Sequence, residues 1–186
     1  MHKFICISGC TASGKSSFAI ELADYFESPV IINADALQVY DCWKILTDRP
    51  TEKKTLHDLY GHVSCRVNYS VGDWIKDVKN IFDLYSKNSK TFIFVGGTGL
   101  YFNALLNGLS QIPQIPEEIR DFANSCDLSF FLKGLNINDP DILEKIDTNN
   151  RRRVQRAWEV LETTGKSILY WPVSYTHLTL PTTVRV

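Results

Sequence analysis

No apolar run in this chain is long enough for a helix to cross a bilayer, and no basic-then-apolar leader opens it. The expectation is a protein without a membrane span or a secretory signal, working in the cytoplasm. An excess of one charge is missing too. Lys and Arg number 20 against 21 Asp and Glu, for a net charge of −1. No global field therefore draws the chain to nucleic acid, and any such contact has to come from a local patch. The five cysteines (Cys6, Cys10, Cys42, Cys65, Cys126) are odd in number and form no C-x-x-C pair, which argues against a disulfide framework and for reduced thiols. The four histidines (His2, His57, His62, His177) lack zinc-ligand spacing. What is present is an ordinary globular composition, 44% hydrophobic and 22% charged. A length of 186 residues suits one domain, or one domain plus part of another.

The stretch that organises the chain is Gly9-Cys10-Thr11-Ala12-Ser13-Gly14-Lys15-Ser16, a full match to G-x-x-x-x-G-K-[ST]. Gly9 and Gly14 let the backbone bend until several N–H groups point at one anion. Lys15 adds a charge near the terminal phosphate, and the Ser16 hydroxyl is placed to ligate Mg²⁺. A helix starting near Lys15 turns its positive end toward the same phosphates. The short apolar run Lys3–Ser8 reads as a buried parallel strand ahead of the loop. Behind it, Phe18, Leu22 and Phe26 recur at intervals of four, the pattern of a helix face packed on a sheet. A phosphate-bearing ligand follows; its identity does not.

Val30–Ala34 reads as a second strand, leading into Asp35-Ala36-Leu37-Gln38-Val39-Tyr40. An acidic residue at the carboxyl end of a parallel strand lies on the ligand edge of an open α/β sheet. Asp35 is equally suited to capping a helix there. Residues 41–70 are polar and irregular, broken by Pro50 and Gly61. Trp74, Val78, Ile81, Phe82 and Tyr85 then mark the core face of an amphipathic helix. Thr91–Val95 reads as a third buried strand, ending in Gly96-Gly97-Thr98-Gly99, which would bring Thr98 to the edge shared with the loop and Asp35. Strands alternating with helices predict a parallel, doubly wound α/β sheet.

The character changes after Gly108. Pro113 and Pro116 bracket a linker, and 117–125 reads as helix. Leu128–Leu135 fits strand or buried helix equally. Asp139-Pro140 is read as an N-cap with proline at the first helical position, opening a short helix to Ile146. Asn150 caps a longer helix to about Thr164, closed by Gly165. That helix opens on Arg151-Arg152-Arg153, with Arg156 one turn on, and packs through Val154, Ala157, Val160 and Leu161. Arginines at a helix N-terminus oppose the dipole, so local stability does not explain them. They form either a solvated basic face or a contact for RNA phosphates and bases. The threonine-rich tail from Val173 to Val186 matches nothing before it, resembles translated adapter sequence, and is expected not to be native.

Taken in order, these residues resemble the tRNA dimethylallyltransferase (tRNA isopentenyltransferase) family, from about Ile5 to Trp171. The landmarks are G-C-T-A-S-G-K-S at Gly9–Ser16, A-D-A-L-Q-V-Y at Ala34–Tyr40 and G-G-T-G-L-Y at Gly96–Tyr101. Pro113, Arg120, Asp139-Pro140, the run N-N-R-R-R-V-Q-R-A-W-E-V at Asn149–Val160 and Thr164-Gly165 complete the set. Departures are Cys10 for a usual proline, Trp158 for leucine, Ala36 for a frequent serine and Asn150 for a frequent aspartate.

The resemblance implies a P-loop NTPase-like parallel sheet flanked by helices, with part of an inserted helical tRNA-binding region. It divides the chain into a core (1–112), the insertion (113–171) and the odd tail (172–186). Family members are substantially longer, so it also implies a fragment that lacks a strand and basic residues near the diphosphate. The implied activity is transfer of a dimethylallyl group from dimethylallyl diphosphate to the exocyclic amine of an adenine beside the tRNA anticodon. By the same resemblance Gly9, Thr11, Ala12, Ser13, Gly14, Lys15 and Ser16 hold diphosphate, Ser16 with Mg²⁺. Asp35 is the general base and Thr98 sits at the reaction site. Asp35, Ala36, Leu37, Gln38 and Thr98 meet the extruded nucleotide. Arg120, Arg152, Arg153, Val154, Gln155 and Arg156 hold the tRNA. Membrane contact is not implied, and a monomer is expected. Two other readings remain: a P-loop kinase of a small metabolite or nucleotide with Asp35 activating a hydroxyl, and an RNA-binding module with an inactive loop.

Overall fold

Two strands are buried on both faces, and their side chains alternate between two cores. In β2 (Pro29–Asn33) and β4 (Thr91–Gly96), Val30, Ile32, Phe92 and Phe94 enter one cluster, while Ile31, Ile93 and Val95 enter another. This period of two is what a sheet covered on both sides requires. The computed structural model describes residues 2–50, 55–87, 89–171 and 173–174. The foreign-tail expectation for 172–186 therefore lies outside the described residues, apart from the pair Val173–Ser174.

The chain divides into two units between Leu109 and Ser110, three residues before the expected boundary at 112. In the first unit, β1 (Lys3–Ser8), α1 (Lys15–Ala23), β2, β3 (Leu56–Asp58), α2 (Val71–Leu84), β4 and α3 (Gly99–Asn107) follow one another. The strands form one sheet in the order β1-β4-β2-β3, every pair parallel. Trp74, Ile75, Val78 and Ile81 of α2 pack on one face with Tyr101, Phe102, Ala104 and Leu105 of α3. Trp74 stacks on Tyr101 with ring centroids 4.5 Å apart, and its indole N–H donates to the Asn33 carbonyl at 2.8 Å. The α2 N-terminus is a full capping box, Ser70 and Asp73 satisfying each other's backbone N–H.

The other face carries α1, and here the sequence expectation is corrected. Ala19 and Ala23, with Ile20 and Phe26 beside them, pack on Ile31, Ile93 and Val95, whereas Phe18 is exposed. Alanines let the helix lie close to the sheet, and Phe26 reaches the core from beyond the helix end at Ala23. A second correction lies in the stretch read as irregular, which contributes β3 as an edge strand beside β2. A third concerns the thiols: Cys42 and Cys65 are joined in a disulfide, with Cα atoms 6.2 Å apart, while Cys6, Cys10 and Cys126 are free.

The second unit holds α4 (Glu117–Ser125), α5 (Leu128–Asn138), α6 (Pro140–Leu143) and α7 (Arg151–Thr164). The chain enters this unit through β5 (Leu109–Ser110) and reaches its end in β6 (Val173–Ser174), the two strands of a two-residue ladder. Helix, not strand, is the outcome for Leu128–Leu135; Asp127 caps it by accepting from the Phe130 N–H at 2.8 Å. Asn150 accepts from the Arg153 N–H, and Gly165 closes α7 at φ 66°, both as expected. Asp139 departs from expectation. Its side chain caps nothing, and α6 ends at Leu143. Phe131, Leu135, Ile142, Val154 and Ala157 form this unit's core.

At the end of β4, a Cβ on Gly96 would fall within hard contact of the Ala34 carbonyl, backbone that has no room to yield. Gly99, first residue of α3, has nothing within 4 Å of its Cβ position. Gly96→Ala should therefore lower unfolding free energy by about 2–4 kcal/mol, while Gly99→Ala stays within about 0.5 kcal/mol or stabilises. Urea denaturation of both variants measures the contrast.

Candidate functional site

The loop expected to bind phosphate leaves β1 at Ser8 and enters α1 at Lys15. Ala12 (φ 61°) and Gly14 (φ 80°) both take the left-handed backbone region, which turns successive N–H groups inward. Glycine adopts that region freely; alanine does so at a cost of about 1 kcal/mol. The Lys15 ammonium folds over the loop, donating to the Cys10 carbonyl and lying 3.4 Å from the Ser13 hydroxyl.

Asp35 follows β2 through a turn, not a helix, so the N-cap alternative is replaced by a tighter one. Its Oδ1 accepts from the Leu37 N–H at 2.9 Å. The turn hangs on Asn33, a fully buried residue that the sequence reading passed over. The Asn33 side chain accepts from the Asp35 N–H at 2.9 Å and donates to the Asp35 and Leu59 carbonyls at 2.9 and 3.0 Å. The only signal for it was a polar residue at the end of an apolar strand run. Thr98 braces the same turn from β4's side: its hydroxyl accepts from the Ala36 N–H at 2.9 Å, and its own N–H donates to the Ala34 carbonyl at 3.3 Å. With its hydroxyl so used, Thr98 leaves α3 without a side-chain cap. A Cβ at Gly97 would lie 3.4 Å from the Gly9 carbonyl and 3.8 Å from Asp35 Oδ2, so three strand ends meet at one edge.

These segments enclose a cleft of about 260 Å³, lined by Thr11–Ser17, Asp35, Leu37 and Gln38. Gly96 also lines it, as do Leu46, Thr47, Asp48, Tyr60 and Val95, five residues that were not foreseen. They belong to the stretch read as irregular, or to a strand read as core only. Gln38 donates its amide to the Thr47 carbonyl at 2.9 Å and so holds the 41–49 segment against the cleft. Ala36 contributes its backbone N–H to Thr98, and Leu37 is exposed. Burial, with a smaller push from the Asp35 carboxylate, raises the Tyr60 phenol well above its ordinary pKa. Ser16, Asp35 and Asp48 offer only oxygen donors, the set that suits Mg²⁺ alongside phosphate oxygens. A separate group, Asp41, Cys42 and Cys65, has ligand atoms within 4.8 Å of one another, but its sulfurs are bonded to each other.

The remaining candidates belong to the second unit. Arg120, Arg152 and Arg153 are exposed. Val154 is fully buried, and Gln155 nearly so, bonded to Asn124, Glu159 and Arg151; both side chains serve this unit's own packing. Arg156 is half-buried, 3.7 Å from the buried Glu159 carboxylate. Burial lowers its pKa, Glu159 opposes that, and the neighbouring Arg120 adds to it. Arg151, left out of the RNA contacts, donates to the Ala123, Asn124 and Cys126 carbonyls at the end of α4.

A family model described as IPP transferase matches residues 38–183. A tRNA dimethylallyltransferase of Ruegeria sp. (strain TM1040) is 45% identical over 170 residues, covering 90% of this chain and 56% of that protein. Another, from Jannaschia sp. (strain CCS1), is 45% identical over 173 residues, 91% of this chain and 58% of its own. Among solved structures, a eukaryotic dimethylallyltransferase acting on tRNA aligns with a TM-score of 0.73 at 31% identity, over 90% of this chain and 43% of that one. A tRNA isopentenylpyrophosphate transferase from Bacillus halodurans gives 0.54 at 30% identity, over 90% and 57%. The chain thus spans little more than half the length of the curated relatives it matches.

Thr98→Val removes the acceptor of a half-buried N–H and should cost about 1–3 kcal/mol, with faster hydrogen exchange at Ala36; Thr98→Ser should restore both. Amide exchange followed by NMR at that residue is the check.

Proposed function

The chain belongs to the IPP transferase family, and from that premise we propose that it carries the donor site and part of the RNA-binding region of a tRNA dimethylallyltransferase. In this reading dimethylallyl diphosphate is the donor and the exocyclic amine of the adenine 3′ of the anticodon is the acceptor. The observation that carries it is the meeting of the phosphate loop and Asp35 in one cleft, with Thr98, outside the lining, bracing the turn that carries Asp35. Leu37, Leu46 and Val95 supply that cleft with an apolar lining suited to a five-carbon chain. The reading carries with it a monomeric, cytoplasmic protein; among the described residues no helix is long and apolar enough to cross a membrane.

Each residue has a task. The loop N–H groups and Lys15 receive the negative charge that develops on diphosphate as the allylic C–O bond breaks. Mg²⁺, when bound through Ser16, would supply further charge neutralisation there. The adenine amine is a weak nucleophile because its lone pair is delocalised into the ring. Asp35 accepts a hydrogen bond from it and then its proton, through Oδ2, since Oδ1 is engaged by Leu37. Thr98 acts by holding the turn that aims this carboxylate. Arg120, Arg152 and Arg153 are exposed and so available to RNA phosphates. A P-loop kinase would use the loop equally well, but it leaves the apolar lining and the exposed arginines without a task.

Calorimetric titration with dimethylallyl diphosphate and with ATP, each with Mg²⁺, tests the reading. The prenyl diphosphate should bind in preference, and Lys15→Ala should weaken it about 10–150-fold, the loss of one charge-assisted contact. Asp35→Asn should leave that affinity unchanged or tighter while lowering transfer about 10²–10⁴-fold. Preference for ATP would instead establish the kinase. Arg152→Ala and Arg153→Ala should each reduce the salt slope of tRNA affinity by about one, measured by filter binding across salt concentrations.

A further inference from the structure

The second unit carries a pocket that the proposed reaction does not use. Helices α4 and α7 run antiparallel: Arg151 reaches the carbonyls of Ala123, Asn124 and Cys126, Gln155 reaches Asn124, and Trp158 meets Phe122. One turn further along each helix stand Glu118 and Glu162. The two carboxylates thus come to the same end of the helix pair, and both line one open cavity of about 460 Å³ with Ile119, Phe122, Phe130 and Trp158.

Three rings form the cup. The ring centroids of Phe122 and Phe130 lie 5.7 Å apart, Phe130 and Trp158 5.6 Å, and Phe122 and Trp158 6.0 Å, none of them stacked flat on another. Trp158 is 8% exposed and forms the floor; Phe122 and Phe130 are 51% and 40% exposed and form the walls. Gly134 leaves room for that floor, since a Cβ there would come within 3.1 Å of the Trp158 indole nitrogen.

Folding alone does not account for this arrangement. Exposed aromatic faces cost free energy unless covered, and two carboxylates on one rim repel. Among the described residues neither Glu118 nor Glu162 has an ion-pair partner. Among the cations nearby, Arg151 is bonded to the α4 carbonyls, Arg156 pairs with Glu159 and Lys166 lies over the Tyr170 ring at 4.2 Å, while Arg120, exposed on the same helix as Glu118, forms no ion pair with either carboxylate among the described residues. Negative ring faces below two carboxylates complement an organic cation, and the same carboxylates repel phosphate.

We propose that the cup of Phe122, Phe130 and Trp158, rimmed by Glu118 and Glu162, is a docking site for the cationic side chain of a basic peptide segment presented by a partner protein. The aromatic faces take the desolvated cation and its apolar stem, and the carboxylates accept its N–H groups.

The test follows the Trp158 indole N–H resonance, assigned with Trp158→Phe, in the ¹⁵N-labelled full chain. The probes are a short capped glycine-serine peptide with one central arginine, the same peptide with neutral citrulline, and oligouridylate. The arginine peptide should shift that resonance saturably, about tenfold more tightly than the citrulline peptide. The Glu118→Gln/Glu162→Gln pair should weaken it by about the same factor, while Lys15→Ala leaves it unchanged. Both glutamates are exposed, and retained dispersion of the other three tryptophan indole signals confirms that the double variant folds. No shift with the arginine peptide, or equal shifts with citrulline, would overturn the proposal. So would a shift by oligouridylate that survives the double variant, because it would make the cup a base-stacking surface.

Discussion

The carboxyl edge of the sheet depends on one close approach, that of Gly96 to Ala34. Without a side chain at Gly96, β4 lies tightly enough against the end of β2 for both backbone groups of Ala34 to be used. Its N–H donates to the Val95 carbonyl at 2.8 Å, and its carbonyl accepts from the Thr98 N–H at 3.3 Å. The direction in which Asp35 leaves β2 is therefore set by β4. Asn33 then takes both backbone groups of Asp35, and Leu37 takes Oδ1. Oδ2 is the one hydrogen-bonding atom of Asp35 without a partner among the described residues. A carboxylate held so fully needs little reorganisation to meet a substrate proton, the condition under which a general base works well.

The phosphate loop is held differently. Its ends are fixed by β1 and α1, Lys15 ties its middle at the Cys10 carbonyl, and the backbone between accepts left-handed geometry at Ala12 as well as at Gly14. That strain persists because both flanking elements are anchored in the core, Ala19 and Ala23 under α1 and Ile5 and Ile7 beside them. The motif spacing thus reports a backbone shape, while the energy that maintains the shape comes from alanines and isoleucines outside the motif.

This separation explains what the sequence disclosed. Glycine spacing, the capping residues Asn150 and Gly165, and the α2 periodicity are local signals, and the structure follows them. The convergence of Gly9, Asp35 and Thr98 was legible because each follows a recognisable apolar strand. What escaped depends on partners distant in sequence. Three residues of β3 carry no pattern of their own and become a strand through β2. Cys42 and Cys65 are 23 residues apart and meet where Tyr40 bridges to Val63. Asn33 is indistinguishable from any strand-end polar residue until its three hydrogen bonds are seen. Phe18 was read as core by its spacing, yet close packing of α1 favours alanine on the inner face and turns the larger ring outward.

The arginine run on α7 shows why residue type alone does not assign a role. All three leading arginines oppose the positive end of their own helix. For Arg151 that cost is offset, because its guanidinium lies at the negative end of α4 and bonds carbonyls there. Arg156 is offset in another way, by the buried Glu159 that Gln155 also contacts. Arg152 and Arg153 have neither compensation: they are exposed, bonded through their side chains to nothing among the described residues, and sited where the helix field is least favourable to them. A feature that the fold does not need and mildly resists is best explained by what it binds. By that reasoning these two side chains, rather than the run as a whole, are the basic residues of α7 to which the proposed RNA contact is assigned.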